Sequence, residues 1–189
     1  MIRRLVIRCL AIIAIALIGQ AAVAGERDWQ VCFTPGQDCT GLVVSEIDRA
    51  SRTIRVQAYS FTSTPILSAL KRAEQRGVDV RVIVDKTSAG KQKSGSTYTA
   101  ATYLNNAHVP VWVDTTVAIA HSKVMIIDGR TVITGSFNFT AAAQNRNAEN
   151  LLVIQDAELA GLYDQNWQRR VSVSHPFEPG VAEPSGFNE

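Results

Sequence analysis

The sequence predicts an α/β fold in which a mixed β-sheet carries helices on both faces. Three observations lead there. Short runs rich in Val and Ile alternate along the chain with stretches of helical periodicity. Turn and cap residues punctuate them, among them Thr64-Pro65, Gly77 and Asp128-Gly129. The length after residue 24 suits one domain with a true core, and no segment repeats.

Each element follows from its residues. Trp29 to Phe33 is rich enough in β-formers for a first strand. From Gly41 to Ala50, Val43, Val44 and Ile47 recur at helical spacing and predict a helix with that side inward. Thr53 to Tyr59 alternates like a strand. Thr64 reads as the cap of the next helix, Pro65 as its opening and Gly77 as its stop. Val78 to Asp85 is apolar enough to be a strand covered on both faces. Thr97 to Asn106 reads as a helix and Val109 to Val113 as a strand. Lys123 to Ile127 and Thr131 to Thr134 form a hairpin around Asp128-Gly129. Thr140 to Arg146 is a short helix and Asn150 to Gln155 a strand. Ala157 to Arg170 is an amphipathic helix with Leu159, Leu162, Tyr163 and Trp167 on one face. Residues 25–171 thus read as one domain, and 172–189 as a flexible, Pro-bearing tail.

The first 24 residues have the layout of a secretory signal peptide: Arg3, Arg4 and Arg8, an apolar run from Cys9 to Ile18, then Ala22-Val23-Ala24. Cleavage after Ala24 predicts an exported protein, periplasmic or secreted. It also changes the charge. The chain has 19 Lys and Arg against 17 Asp and Glu, and the leader holds three of the bases and none of the acids, so the remainder is formally −1. Overall charge therefore gives no support for a polyanionic partner, and local distribution must be read instead. The segment 86–96, with Lys86, Lys91 and Lys93, is polar, Gly-bearing and cationic. It reads as a mobile loop able to track a phosphate backbone, and equally as a solvated surface loop. Cys32 and Cys39 are the cysteines left after cleavage, and in an exported protein they most simply pair. Closing so short a loop is worth roughly 2 to 3 kcal/mol in the chain-entropy model. With no His or carboxylate cluster beside them, no metal and no cofactor is assigned.

One stretch concentrates reactive groups. His121 and Lys123 stand two apart where a strand begins, so both project from one face. The hairpin returns Gly135-Ser136-Phe137-Asn138 toward them. Gly135 permits close backbone approach, while Ser136 and Asn138 supply neutral donors near the expected start of a helix. An imidazole, an ammonium and several donors suit attack on a phosphodiester, whose transition state places growing charge on the equatorial oxygens. Asp128 differs in strand parity from Lys123 and lies at the turn, which makes it a structural hydrogen-bonding partner rather than a base.

The spacing His121-x-Lys123, four residues to Asp128, then six to Gly135-Ser136-x-Asn138, closely resembles the signature of the phospholipase D superfamily. Thr34-Pro35-Gly36, Ala58-Tyr59-Ser60-Phe61-Thr62, Phe137-Asn138-Phe139-Thr140 and Asn147-Ala148-Glu149-Asn150 extend the likeness to its small secreted bacterial endonucleases. The resemblance implies a phospholipase D-like α/β/α sandwich. It also implies that His121 is a nucleophile forming a phosphohistidine, that Lys123 and Asn138 hold the phosphate, and that Glu149 orients the imidazole. In-line displacement puts attacking and leaving groups on opposite sides of phosphorus, so one imidazole cannot serve both. Superfamily members with two motif copies place both at one site. A single-copy chain is therefore expected to be an obligate homodimer, with one His121 as nucleophile and the other as general acid.

The first functional reading is a metal-independent nuclease acting on DNA, and on RNA as a further substrate. A lipid phosphodiesterase cleaving anionic phospholipid, phosphatidylcholine or cardiolipin would use the same residues, and the rim of the pocket is what separates them. A nucleic-acid-binding or secretion-associated protein with vestigial catalysis is the reading from another class, and the complete motif argues against it. Tyr59 and Phe61 stay unassigned between base stacking and core.

Overall fold

The computed structural model describes residues 27–89 and 99–180. The expected leader and its cleavage site, Lys91 and Lys93, and the end of the tail lie outside the described residues. Eight strands form one sheet in the order β1-β7-β6-β5-β2-β3-β4-β8. They are β1 (Trp29–Thr34), β2 (Thr53–Ala58), β3 (Asp79–Asp85), β4 (Val111–Asp114), β5 (Lys123–Ile127), β6 (Thr131–Gly135), β7 (Glu149–Gln155) and β8 (His175–Pro176). β2, β3 and β4 are parallel, and every other pairing is antiparallel. The helices are α1 (Cys39–Arg49), α2 (Thr64–Gln75), α3 (Lys86–Ala89), α4 (Ala100–Asn106), α5 (Ala141–Asn145) and α6 (Ala157–Val171).

Two apolar layers clamp the sheet, as the predicted fold class requires. The larger joins Val43 and Ile47 of α1, Ile66 and Leu70 of α2, Leu104 of α4 and Ala143 of α5 to alternate strand residues such as Val56, Val82 and Met125. The smaller sets Ala160 and Trp167 of α6 against Ile83, Val124, Ile126 and Val132. Every residue of β5 is buried because both faces are covered. Trp167 is 1% exposed, and its Nε1–H donates to the Val56 carbonyl at 3.0 Å, so a fully buried indole leaves no donor unpaired. Among the described residues no helix is long and apolar enough to cross a membrane.

Several expectations are corrected. α1 starts at Cys39, two residues early, because the Asp38 carboxylate caps it by accepting from Gly41 N at 2.8 Å. Ser63, not Thr64, is the N-cap of α2. Lys86 to Ala89, read as the start of a loop, form a helical turn. Leu162, assigned to the buried face of α6, is exposed, because the helix meets the sheet along Ala160 and Trp167. The flexible tail expected from Ser172 is instead docked in part. His175 and Pro176 pair with Val113 and Trp112, Phe177 N donates to the Val111 carbonyl at 2.8 Å, and the Phe177 ring is buried. Cys32 and Cys39 form the expected disulfide, with Cα atoms 5.6 Å apart, joining β1 to the first turn of α1. The Thr34–Pro35 peptide between them is cis.

Candidate active site at the carboxyl edge of the parallel strands

The three parallel strands end at Ala58, Asp85 and Asp114, and on the same edge β5 begins at Lys123, β6 ends at Gly135 and β7 begins at Glu149. Open α/β sheets bind their ligands at this edge. An open cleft of about 690 Å³ lies there, lined by His121, Ser122, Lys123, Thr134, Ser136, Asn138, Glu149 and Tyr163 among others. The sequence-predicted His121, Lys123, Ser136, Asn138 and Glu149 thus come together from three strands and their connections.

Lys123 is 6% exposed. Its Nζ donates to the His121 carbonyl at 2.5 Å and lies 2.9 Å from His121 Nδ1. Burial pulls its pKa below the ordinary lysine value, and the nearby Glu149 carboxylate opposes that by favouring the charged form. An ammonium has no lone pair, so Nδ1 accepts, and the proton of a neutral ring sits on Nε2. The exposed His121 ring packs on Tyr59 with centroids 4.5 Å apart, and Lys123 Nζ stands 5.0 Å from the Tyr59 centroid. Tyr59 is therefore a wall shared by both groups, fixed where its backbone N–H meets the Ser122 carbonyl at 3.0 Å. Phe61 is core, edge-on to Phe139.

The expected orienting contact from Glu149 to His121 is absent within the chain. Ser136 Oγ donates to Glu149 Oε2 at 2.6 Å and Asn147 Nδ2 to Oε1 at 2.9 Å. Ser136 is correspondingly not a free donor, and it accepts from Asn150 N at 3.1 Å. Nor does a helix begin at Gly135 to Asn138: α5 starts at Ala141, capped by Thr140, and the Ser136 and Phe137 N–H groups both point at the Asn150 carbonyl. A Cβ on Gly135 would lie 2.3 Å from that carbonyl oxygen, and Gly135 has φ +147°, so the close approach excludes any other residue. Asn138 Oδ1 is buried and has no hydrogen-bond partner among the described residues, so only its Nδ2 donors are available to an anion.

Asp128 stands at the other end of β5, roughly 16 Å of strand away from Lys123. Its carboxylate accepts from Ser51 N and Oγ, Arg52 N and Thr53 N, tying the hairpin turn to the start of β2. Burial works against its ionisation, but these hydrogen bonds outweigh it and hold the pKa below the usual value. It does not line the cleft, and its hydrogen bonds run to the start of β2.

Two carboxylates were missed. Asp85 and Asp114 are register partners, 1% and 2% exposed, at the ends of β3 and β4. Each binds N and Oγ1 of the Thr two residues on, Thr87 or Thr116. With its other oxygen Asp85 accepts from Ala120 N at 2.8 Å, while Asp114 takes the Arg170 guanidinium of α6. Together they clamp both ends of the 115–122 loop that delivers His121. An Asp closing an apolar run at this edge, with Thr two residues on, was the signal available. Among the described residues no three His, Cys, Asp or Glu side chains gather as a metal site.

The chain is similar to known proteins in sequence and in fold. Residues 43–171 match the family described as cardiolipin synthase, PLD-like domain. The chain is 48% identical to a phospholipase D of Rickettsia felis over 74% of its own length and 67% of that protein's. It is 33% identical to the mitochondrial cardiolipin hydrolase of Drosophila melanogaster, spanning 56% of that protein. Its fold superposes on the crystal structure of a phospholipase D family member, Nuc from Salmonella typhimurium, with a TM-score of 0.72 and 39% identity, covering 81% of this chain and 99% of that one. With the cleft and its His121-Lys123 pair in place, the match over most of the folded domain shows that the chain belongs to the phospholipase D superfamily of phosphodiesterases.

Proposed function

We propose that the chain is an exported, metal-independent nuclease that hydrolyses phosphodiesters of DNA through a covalent phosphohistidine, in a site shared by two copies of the chain. The observation that supports it most is the His121-Lys123 pair in a cleft whose rim is polar rather than lipid-like. The phosphate takes Lys123 away from Nδ1, and Lys123 with the Asn138 amide neutralises the equatorial oxygens. The ring proton then moves to Nδ1, which frees Nε2. Nε2 attacks phosphorus, the P–N bond forms, and the P–O bond to the leaving strand breaks. That oxygen takes its proton from the second chain's His121. Water then attacks phosphorus, gives its proton to that same histidine, and releases the phosphate monoester as the P–N bond breaks. One chain supplies a single His121, so the acid must come from a second copy.

Digestion of plasmid DNA by the mature, disulfide-intact protein in excess EDTA tests the reading, with His121→Asn as the blank. Nicking by wild type alone is the expected result, and intact DNA under conditions where the protein is folded would overturn it. One observation favours a second reading, lipid phosphodiester hydrolysis. Trp29, Val31 and Phe33 are exposed on edge strand β1, whose next residue, Thr34, pairs with Glu149 at the site. Release of headgroup from phosphatidylcholine or cardiolipin vesicles by the same protein would identify that activity.

A further inference from the structure

Beside the catalytic cleft lies a second cavity of about 260 Å³, between the sheet and α6. It shares His121 and Ser122 with the cleft, so whatever occupies it sits one imidazole away from the reacting phosphorus. Its lining contains amides without partners. Gln57 stands in central strand β2 between Ile83 and Val124, a position that a covered sheet ordinarily gives to an aliphatic residue. It is 6% exposed, and its side chain makes no hydrogen bond to any described residue. Asn166, half-buried, lines the cavity from α6, and its side chain makes no hydrogen bond to any described residue. Arg170 spends Nε and Nη2 on Asp114 and Thr116, leaving Nη1. Ile83, Val117 and Ile119 supply apolar walls.

A residue as buried as Gln57 whose amide opens onto a cavity, with no hydrogen bond to any described residue, points to a polar ligand that pairs with it there. The lining also excludes alternatives. An acyl chain has no use for two amides. A small cationic headgroup would need a free carboxylate or an aromatic cage, yet Asp85 is held by Thr87 and Ala120, and Asp114 by Arg170 and Thr116. What remains is a slot with apolar walls and neutral groups that both donate and accept, as the edge of a planar heterocycle requires.

We propose that this cavity is a nucleobase subsite, holding the base next to the scissile phosphate with Gln57 and Asn166 bonded to its edge. The inference rests on the nuclease reading and adds a determinant of substrate class to it. The test compares two substrates that differ in carrying a base, the p-nitrophenyl ester of thymidylate and bis(p-nitrophenyl) phosphate, in wild type, Gln57→Leu and Asn166→Leu. The expected result is a fall of about tenfold or more in the ratio of kcat/KM for the base-bearing over the base-free ester, in both variants. Should Gln57→Leu fail to fold, Asn166→Leu on the helix carries the test. An unchanged ratio overturns the subsite alone. Wild type that cleaves bis(p-nitrophenyl) phosphate but neither the thymidylate ester nor DNA overturns the nuclease reading, and the subsite with it.

Discussion

Replacing Asp128 should weaken the fold while leaving the chemistry intact. Its Oδ1 accepts from Arg52 N at 2.8 Å and Thr53 N at 2.9 Å, and its Oδ2 from Ser51 N and Oγ, both at 2.9 Å. A hydrogen bond to a charged group is worth about 1.5 to 3 kcal/mol, but these share one carboxylate and most lie at the surface, so about 3 kcal/mol is assigned to the set. Ala adds a smaller penalty, since Asp128 sits at φ 53°, a region that Asp tolerates better. Asn keeps one acceptor oxygen and the tolerance for that backbone, and loses about half, roughly 1.5 kcal/mol. At about 2 to 4 °C per kcal/mol for a domain of this size, Asp128→Ala should lower Tm by about 10 °C and Asp128→Asn by about 4 °C. The pH dependence has a fixed sign. Because the folded pKa lies below the unfolded one, the stabilisation is complete above the unfolded value of about 3.9 and is lost as pH falls through the folded value. The gap between wild type and Asp128→Asn therefore narrows in acid. Thermal unfolding followed by circular dichroism, with kcat measured well below every midpoint, checks both halves. Wild-type Tm with a large loss of kcat would refute the structural role.

Two further outcomes follow from the clamp and the cleft. In the proposed reaction Lys123 is charged to neutralise phosphate, and burial has moved its pKa below the ordinary lysine value against the pull of Glu149, so the alkaline limb of kcat/KM should fall below the value of about 10.4 for a free lysine. Glu149→Gln removes the opposing charge and should move that limb lower still; limbs at the free-lysine value in both proteins would contradict the assignment. Asp85→Ala frees Ala120 N and Thr87, loosening the loop that presents His121, and should cost about 10- to 100-fold in kcat with KM near wild type. Asp85→Asn should recover part of that rate, whereas a raised KM at constant kcat would make Asp85 a binding residue instead.

What the sequence revealed about the site depended on how local the signal was. The hairpin was legible because Asp128-Gly129 separates two apolar runs, and both residues take positive φ in the turn. His121 and Lys123 could be placed on one face from their spacing, and Asp128 set apart from them by parity. Gly135 was legible as a close approach, though its partner, the Asn150 carbonyl, belongs to β7 and is fixed only by pairing. Long-range partners were hidden. Nothing beside Glu149 in the chain announces that Ser136, on the far side of α5, donates to its carboxylate. Asp85 and Asp114 read as strand ends until the parallel register sets them side by side, and Tyr59 gains its role only when β2 meets β5 antiparallel. Leu162 and Tyr163 are adjacent in an amphipathic pattern, yet α6 is buried along Ala160 and Trp167, which leaves Leu162 exposed while Tyr163 lines the cleft. Residues 172–177 lack strand character, and His175-Pro176 is placed by the free edge that β4 offers.

The phosphohistidine is tested most directly by the stereochemical course at phosphorus, read from hydrolysis of a chiral phosphorothioate diester in isotopically labelled water. Each in-line displacement inverts the configuration. Attack by His121 followed by attack of water comprises two displacements, so the account predicts net retention, with no turnover in His121→Asn. Net inversion would mean that water strikes phosphorus in a single step, and His121 would then be a base or an acid but not the nucleophile.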